Sequence, residues 1–187
     1  MDDAVRAALT RWPNVPAVFG WLSLDRRGIW RLRGDPIRHV GTREFIQRNY
    51  AADEQGRWYF QNGPQRVYVT LEVAPWVLRI RPDHNLETHA GQCVDRVEAA
   101  WLDSDGHLIL VTPCGPGVMD DRDLPALLDA LTDIQGRVFD ESALLSALAG
   151  AGPALQLTLC GHTLPLRTIA AADLPAQLGF IRSPQPQ

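Results

Sequence analysis

Lysine does not occur in this chain: all 18 basic residues among its 187 are arginine. That absence excludes whole reaction classes. A Walker phosphate loop needs its lysine on the β- and γ-phosphates, and pyridoxal-phosphate enzymes and Schiff-base aldolases need a lysine amine as nucleophile. Cysteine is scarce too, with Cys93, Cys114 and Cys160 widely spaced and no Cys-x-x-Cys pair, which fits reduced thiols better than a disulfide framework. Apolar runs stay at strand length, and Met1-Asp2-Asp3 lacks the basic and hydrophobic regions of a secretory signal, so a cytoplasmic location without a membrane partner is the expectation.

What is present is the composition of a globular protein, 45% apolar and 21% charged. Charge is laid out unevenly. Residues 1–82 hold 13 arginines against 8 carboxylates, a balance of +5, and residues 83–187 hold 5 against 14, a balance of −9. Exposed ion pairs contribute only about 0.2–1 kcal/mol each, so the asymmetry orients lobes or subunits without holding them together.

A repeat organises the chain. Asp53-Glu54-Gln55-Gly56-Arg57-Trp58 is echoed by Asp133-Ile134-Gln135-Gly136-Arg137-Val138, and each copy follows a helix-like segment. Further upstream lie two more turns, Asp25-Arg26-Arg27-Gly28 and Asp103-Ser104-Asp105-Gly106, each between apolar runs that read as hairpin strands. The pattern predicts an α+β fold of two related lobes, each an antiparallel, hairpin-rich sheet packed with one or two short helices. The boundaries read as an arginine-rich N-terminal lobe over 1–82, a linker over 83–96, an acidic C-terminal lobe over 97–182 and a frayed tail over 183–187.

Helical periodicity predicts a helix over 3–12 stopped by Pro13, a second over 43–52 capped by Thr42, and a third from Asp121 or Asp123 that carries Leu124, Leu127, Leu128 and Leu131 on one face. A fourth, Glu141 to Ala149, occupies the place of the first lobe's aromatic strand, Arg57 to Phe60, so the repeat is imperfect. Asn62-Gly63 is the strongest hairpin signal, followed by alternation from Arg66 to Glu72.

The series Leu24-Asp25, Gly28, Trp30, Leu32, Gly34, Pro36-Ile37, then Gly56-Arg57-Trp58-Tyr59-Phe60, Val67, Val69 and Ala74-Pro75-Trp76 resembles small uncharacterised bacterial proteins classed as a domain of unknown function. The resemblance covers Leu22 to Ile80 and rests on Gly, Pro and aromatic residues. It implies an α+β fold of repeated motifs and a signalling or ligand-sensing role, and it brings no catalytic residues.

Three constellations are candidates for chemistry. Arg31 and Arg33, with Arg27, alternate with Trp30 and Leu32 and lie close in sequence to Arg38, a row suited to gripping phosphate or carboxylate. His84, Glu87 and His89, with Asp83 and Cys93, offer zinc-type ligands in the linker, although the five-residue histidine spacing matches neither a helix-face pair nor a knuckle. Cys114 in a Gly and Pro loop, with His107 before it, is a nucleophile and base without a third orienting group. No cofactor motif is present, and an overall charge of −4 argues against nucleic acid as a partner.

The leading expectation is therefore a non-catalytic protein, in signalling or regulation, that binds a small anionic ligand or a protein at the junction of its lobes, with Arg31, Arg33 and Arg38 facing the anion. Two alternatives stand beside it: a metal-assisted hydrolase using His84, Glu87 and His89, and a subunit that assembles head to tail through opposite charges.

Overall fold

The computed structural model describes residues 1–12, 14–139, 146 and 154–186. The chain forms two compact units, one of Met1–Pro75 with Pro175–Gln187 and one of Trp76–Leu174. Among the described residues it is a mixed α and β protein with two sheets and few short helices, none of them long and apolar enough to cross a membrane.

In the first unit helix α1, Asp3–Arg11, precedes strands β1 (Val18–Leu24), β2 (Trp30–Leu32) and β3 (Asp35–Pro36), helix α2 (Val40–Arg48), and strands β4 (Tyr50–Ala52), β5 (Trp58–Asn62) and β6 (Gln65–Leu71). The sheet order is β3-β2-β1-β6-β5-β4. Period-two alternation sends Leu22, Leu24, Trp30, Trp58, Phe60, Val67, Val69 and Leu71 to one buried face. Helix α2 adds Ile46 to that core and sets Phe45 edge-on to Phe60 at 5.4 Å. Tyr50 joins Trp30 and Trp58 at 5.0 and 4.9 Å, and its hydroxyl donates to the Pro75 carbonyl at 3.0 Å.

The second unit contains β7 (Trp76–Ile80), β8 (Leu86–Thr88), β9 (Cys93–Val94), β10 (Ala99–Asp103), β11 (Leu108–Thr112) and β12 (Gly115–Met119). After a 3-10 helix, Leu124–Ala130, come β13 (Leu131–Thr132), β14 (Gln156–Leu159) and β15 (His162–Ile169). Its order is β13-β14-β15-β10-β11-β12-β7-β8-β9. The run from β12 to β13 follows the same plan as β3 to β4 in the first sheet. In each, a hairpin and a third strand lead through a helix to a short edge strand. In each, a later hairpin inserts its last strand parallel to the first, β6 beside β1 and β15 beside β10.

Four turns share one hydrogen-bond pattern. Asp25, Asp53, Asp103 and Asp133 each accept an amide of the glycine three residues on at their carbonyl, at 3.0–3.1 Å. Each places Oδ1 on the amides two and four residues on, at 2.8–3.0 Å. The glycines at 28, 56, 106 and 136 have φ of 75° to 84°, the left-handed region that this bulged turn requires. A basic side chain closes three of the turns from four residues on, Arg57, His107 and Arg137, and Arg31 closes the one at Asp25 from six on.

Several expectations change. The sheets are mixed rather than antiparallel, because β1–β6, β10–β15 and β7–β12 pair parallel, long-range partners that hairpin signals do not reveal. The 83–96 linker carries β8 and β9 inside the nine-stranded sheet, with Arg81–Asn85 and Thr88–Gln92 as tight turns. Helix α2 begins at Val40, with His39 rather than Thr42 as cap, and ends at Arg48 because Tyr50–Ala52 pairs with β5. The Leu-rich segment forms a 3-10 helix; Asp123 stands at its N-cap position, but its side chain makes no cap bond and instead accepts from Arg79 Nε at 2.7 Å and Ile80 N at 2.9 Å. Residues 181–184 belong to the first unit, where Ile181 N donates to Gly56 O, Leu71 N donates to Arg182 O, and Pro184 is buried. The helix expected over Glu141 to Ala149 lies outside the described residues, apart from Ser146.

Candidate functional site

Arg57-Trp58-Tyr59 and Arg66-Val67-Tyr68 are one pattern, Arg-x-Tyr, written twice on strands that pair antiparallel. Alternation buries Trp58 and Val67 in the core and sends the arginine and tyrosine of each strand to the opposite face. Tyr59 stands directly across from Tyr68, with ring centroids 5.9 Å apart. Each arginine consequently reaches diagonally to the tyrosine of the other strand, a neighbour within range of a long side chain. Arg66 lies 4.5 Å over Tyr59 and Arg57 lies 4.7 Å over Tyr68, which also stacks on Phe19 at 4.6 Å.

A guanidinium held over a ring face retains N–H donors that the ring does not use, and these can grip a carboxylate or phosphate. Arg57, Tyr59 and Arg66, with Asp53 and with Glu54 and Gln55 at the rim, line an open depression of about 390 Å³. Its formal charge is balanced, two arginines against two carboxylates. Asp53 is committed internally: Oδ2 accepts from Arg57 Nε at 2.8 Å and from the Tyr68 hydroxyl at 3.1 Å. Desolvation pushes the Asp53 carboxyl up, but hydrogen bonds from Arg57, Tyr68 and Gln55 outweigh it and hold the group below its ordinary value. Arg66 is exposed and, among the described residues, has no carboxylate within ion-pair distance. It is the cation left for a ligand.

The arginines singled out by sequence are placed elsewhere. Arg31 is clamped to Asp25 through Nε at 3.1 Å and Nη2 at 3.0 Å, and its Nη1 donates to Gly34 O at 3.2 Å. Arg33 is not a strand residue: it occupies the turn after β2 with φ of 52° and lies 4.0 Å over Trp21. Arg38 is exposed between β3 and α2.

The linker ligands are likewise separated. His84 is an exposed turn residue with φ of 62°, Glu87 sits on β8 beside Arg81 at 3.5 Å, and His89 Nδ1 accepts from Val77 N at 3.2 Å. Among the described residues the set whose ligand atoms gather within 4.8 Å is Asp103, Asp105 and His107. There Asp103 is already used by the turn: Oδ1 takes the amides of Asp105 and His107, and Oδ2 meets His107 Nδ1 at 3.0 Å. His107 fills the role that arginine fills in the other turns. Cys114 and His107 flank opposite ends of β11, on the order of 20 Å apart at about 3.3 Å per residue, so they cannot act as a nucleophile and base on one substrate. Cys114 instead contributes its carbonyl to Trp76 Nε1 at 2.7 Å.

The profile of a family described as "Protein of unknown function (DUF2946)" matches residues 1–185. Among solved structures, a DUF1285 family protein from Silicibacter pomeroyi DSS-3 aligns with a TM-score of 0.56 at 16% identity, over 90% of this chain and 97% of that one. A DUF1285 family protein from Shewanella baltica OS155 aligns with a TM-score of 0.44 at 16% identity, over 57% and 88%. The first of these supports the fold alone. No functionally curated protein matches the chain.

Proposed function

The chain belongs to the uncharacterised DUF2946 family, and we propose that it is a non-catalytic binding protein whose first unit receives a small anionic ligand in the depression over Tyr59. The observation that carries this reading is the crossed pair of contacts, Arg66 on Tyr59 and Arg57 on Tyr68. The rings and the Asp53 clamp fix both guanidinium groups before a ligand arrives, which reduces the ordering cost of binding. The volume, about 390 Å³, is that of a small-molecule site. Balanced charge means that short-range geometry rather than a positive field selects the ligand, in keeping with the acidic charge of the whole chain. A module that binds in this way without turnover suits a signalling or regulatory role.

Thermal shift with a panel of carboxylate and phosphate metabolites tests the reading. Concentration-dependent stabilisation by at least one anion, absent with sodium chloride at equal ionic strength, is the expected result. Turnover of an ester or phosphate substrate, with no stabilisation by any anion, would overturn it.

A further inference from the structure

Because six strands of the second sheet repeat the order of the first, the strands and turns of one have counterparts in the other. Differences between counterparts mark features that the fold itself does not require. Leu24 and Trp30 close the Asp25 turn as Leu102 and Leu108 close the Asp103 turn. Counting back from these pairs, Trp21 corresponds to Ala99. The two-residue connection Arg33-Gly34 between Leu32 and Asp35 takes the place in the chain of Pro113-Cys114 between Thr112 and Gly115, although β11 runs two residues further than β2 before it turns.

The first unit departs from the second at both places. Strand β10 runs along β15 without interruption, whereas β1 shifts register against β6 between Val18 and Leu22, with Gly20 at φ of 73°. Bulges of this kind re-aim side chains, and Trp21 beside it is 48% exposed. Arg33 takes a left-handed conformation that a non-glycine residue adopts at a cost. Its amide donates to the Trp21 carbonyl at 2.7 Å, and its guanidinium covers the indole at 4.0 Å. Two backbone irregularities thus hold a tryptophan and an arginine stacked at the surface. Those residue types dominate the energetics of protein interfaces.

The complement to this surface exists within the same polypeptide. The first unit carries 12 arginines against 8 carboxylates, +4, and the second carries 6 against 14, −8. The second unit also exposes Ile134 and Val138 around its Asp133 turn and Leu128 beside Asp129. We propose that the Trp21–Arg33 surface of one copy docks on the acidic second unit of another copy. Trp21 supplies the apolar contact, and Arg33 supplies a cation with no carboxylate in ion-pair range among the described residues.

Sedimentation velocity of the full chain, from about 1 to about 100 µM at about 0.02 M and about 0.5 M salt, tests this. The expected result is concentration-dependent self-association that weakens at high salt. Both Trp21→Ala and Arg33→Gly should then weaken it by about tenfold or more. Arg33→Gly relieves the left-handed strain, so it remains folded and carries the test if Trp21→Ala does not fold. Arg66→Ala leaves self-association unchanged, which separates this surface from the depression over Tyr59. A monomer at every concentration in low salt overturns the proposal, as does association that neither Arg33→Gly nor a folded Trp21→Ala weakens. The former result leaves the surface to some other acidic partner.

Discussion

Arg66 lies 4.5 Å over the ring of Tyr59, a residue not of its own strand but of the strand beside it. Arg57 does the reverse to Tyr68 at 4.7 Å. The crossing follows from register: Gln61 pairs with Arg66 and Tyr59 with Tyr68, so each arginine is two places from the tyrosine across the sheet. A one-residue slip would turn the arginine of the slipped strand into the core, so the hairpin turn that fixes this register also creates the site.

Glu54 stands at the rim of the same depression and opposes an anion there. Glu54→Gln removes that repulsion while the exposed side chain contributes little to stability. Affinity for an anionic ligand is expected to rise about two- to fivefold at low salt, with the melting temperature of the free protein unchanged. Titration calorimetry of the variant beside the native protein checks both.

Gly56 carries the left-handed φ of 75° in the Asp53 turn, and a Cβ there would overlap the Gly179 carbonyl. Its own carbonyl accepts Ile181 N at 2.9 Å. Gly56→Ala therefore strains the turn and pushes away the segment that returns from the C-terminus to the first unit. A loss of about 2–4 kcal/mol is expected, read from the urea midpoint. Gly136→Ala, at the matching turn with φ of 78° and no described residue within 4 Å of an added Cβ, should cost only the backbone strain, about 1–2 kcal/mol.

Asp120 is fully buried, and its carboxylate is held at about 2, first by the Arg122 side chain, with the Arg122 amide and the more distant Arg79 adding to the effect. Its folded value lies below its unfolded value of 3.8, so its contribution is complete above about pH 4 and disappears as pH falls toward 2. Arg122 is about half exposed, which discounts the contribution to about 1–2 kcal/mol. Urea unfolding from pH 7 to pH 2 should show Asp120→Asn destabilised at neutral pH and less acid-sensitive than the native chain between pH 4 and 2.

Much of this is legible in the sequence. The four aspartate turns are written locally, because an Asp followed three residues later by Gly encodes its own hydrogen bonds. The hairpins at Asp25, Asn62-Gly63 and Asp103 follow from the same local chemistry. The parallel pairs β1–β6 and β10–β15 were not legible, since their partners lie tens of residues apart and no local pattern names them. Strands β8 and β9 are three and two residues long, too short for alternation to show among polar turn residues. Arg33 lies outside the strand because alternation stops at Leu32, where the chain enters a turn that no strand pattern marks. The repeated Arg-x-Tyr was present in plain sequence, but which arginine covers which tyrosine depends on cross-strand register, and that emerges only when β5 and β6 are paired.

The most direct measurement is the binding of inorganic phosphate and of citrate to the native chain and to Arg66→Ala, by calorimetry at fixed ionic strength. The account predicts saturable binding of at least one of them, weakened about tenfold or more in Arg66→Ala, with the variant's melting temperature unchanged. Equal affinity in the two proteins, or no saturable binding by the native chain, would contradict it.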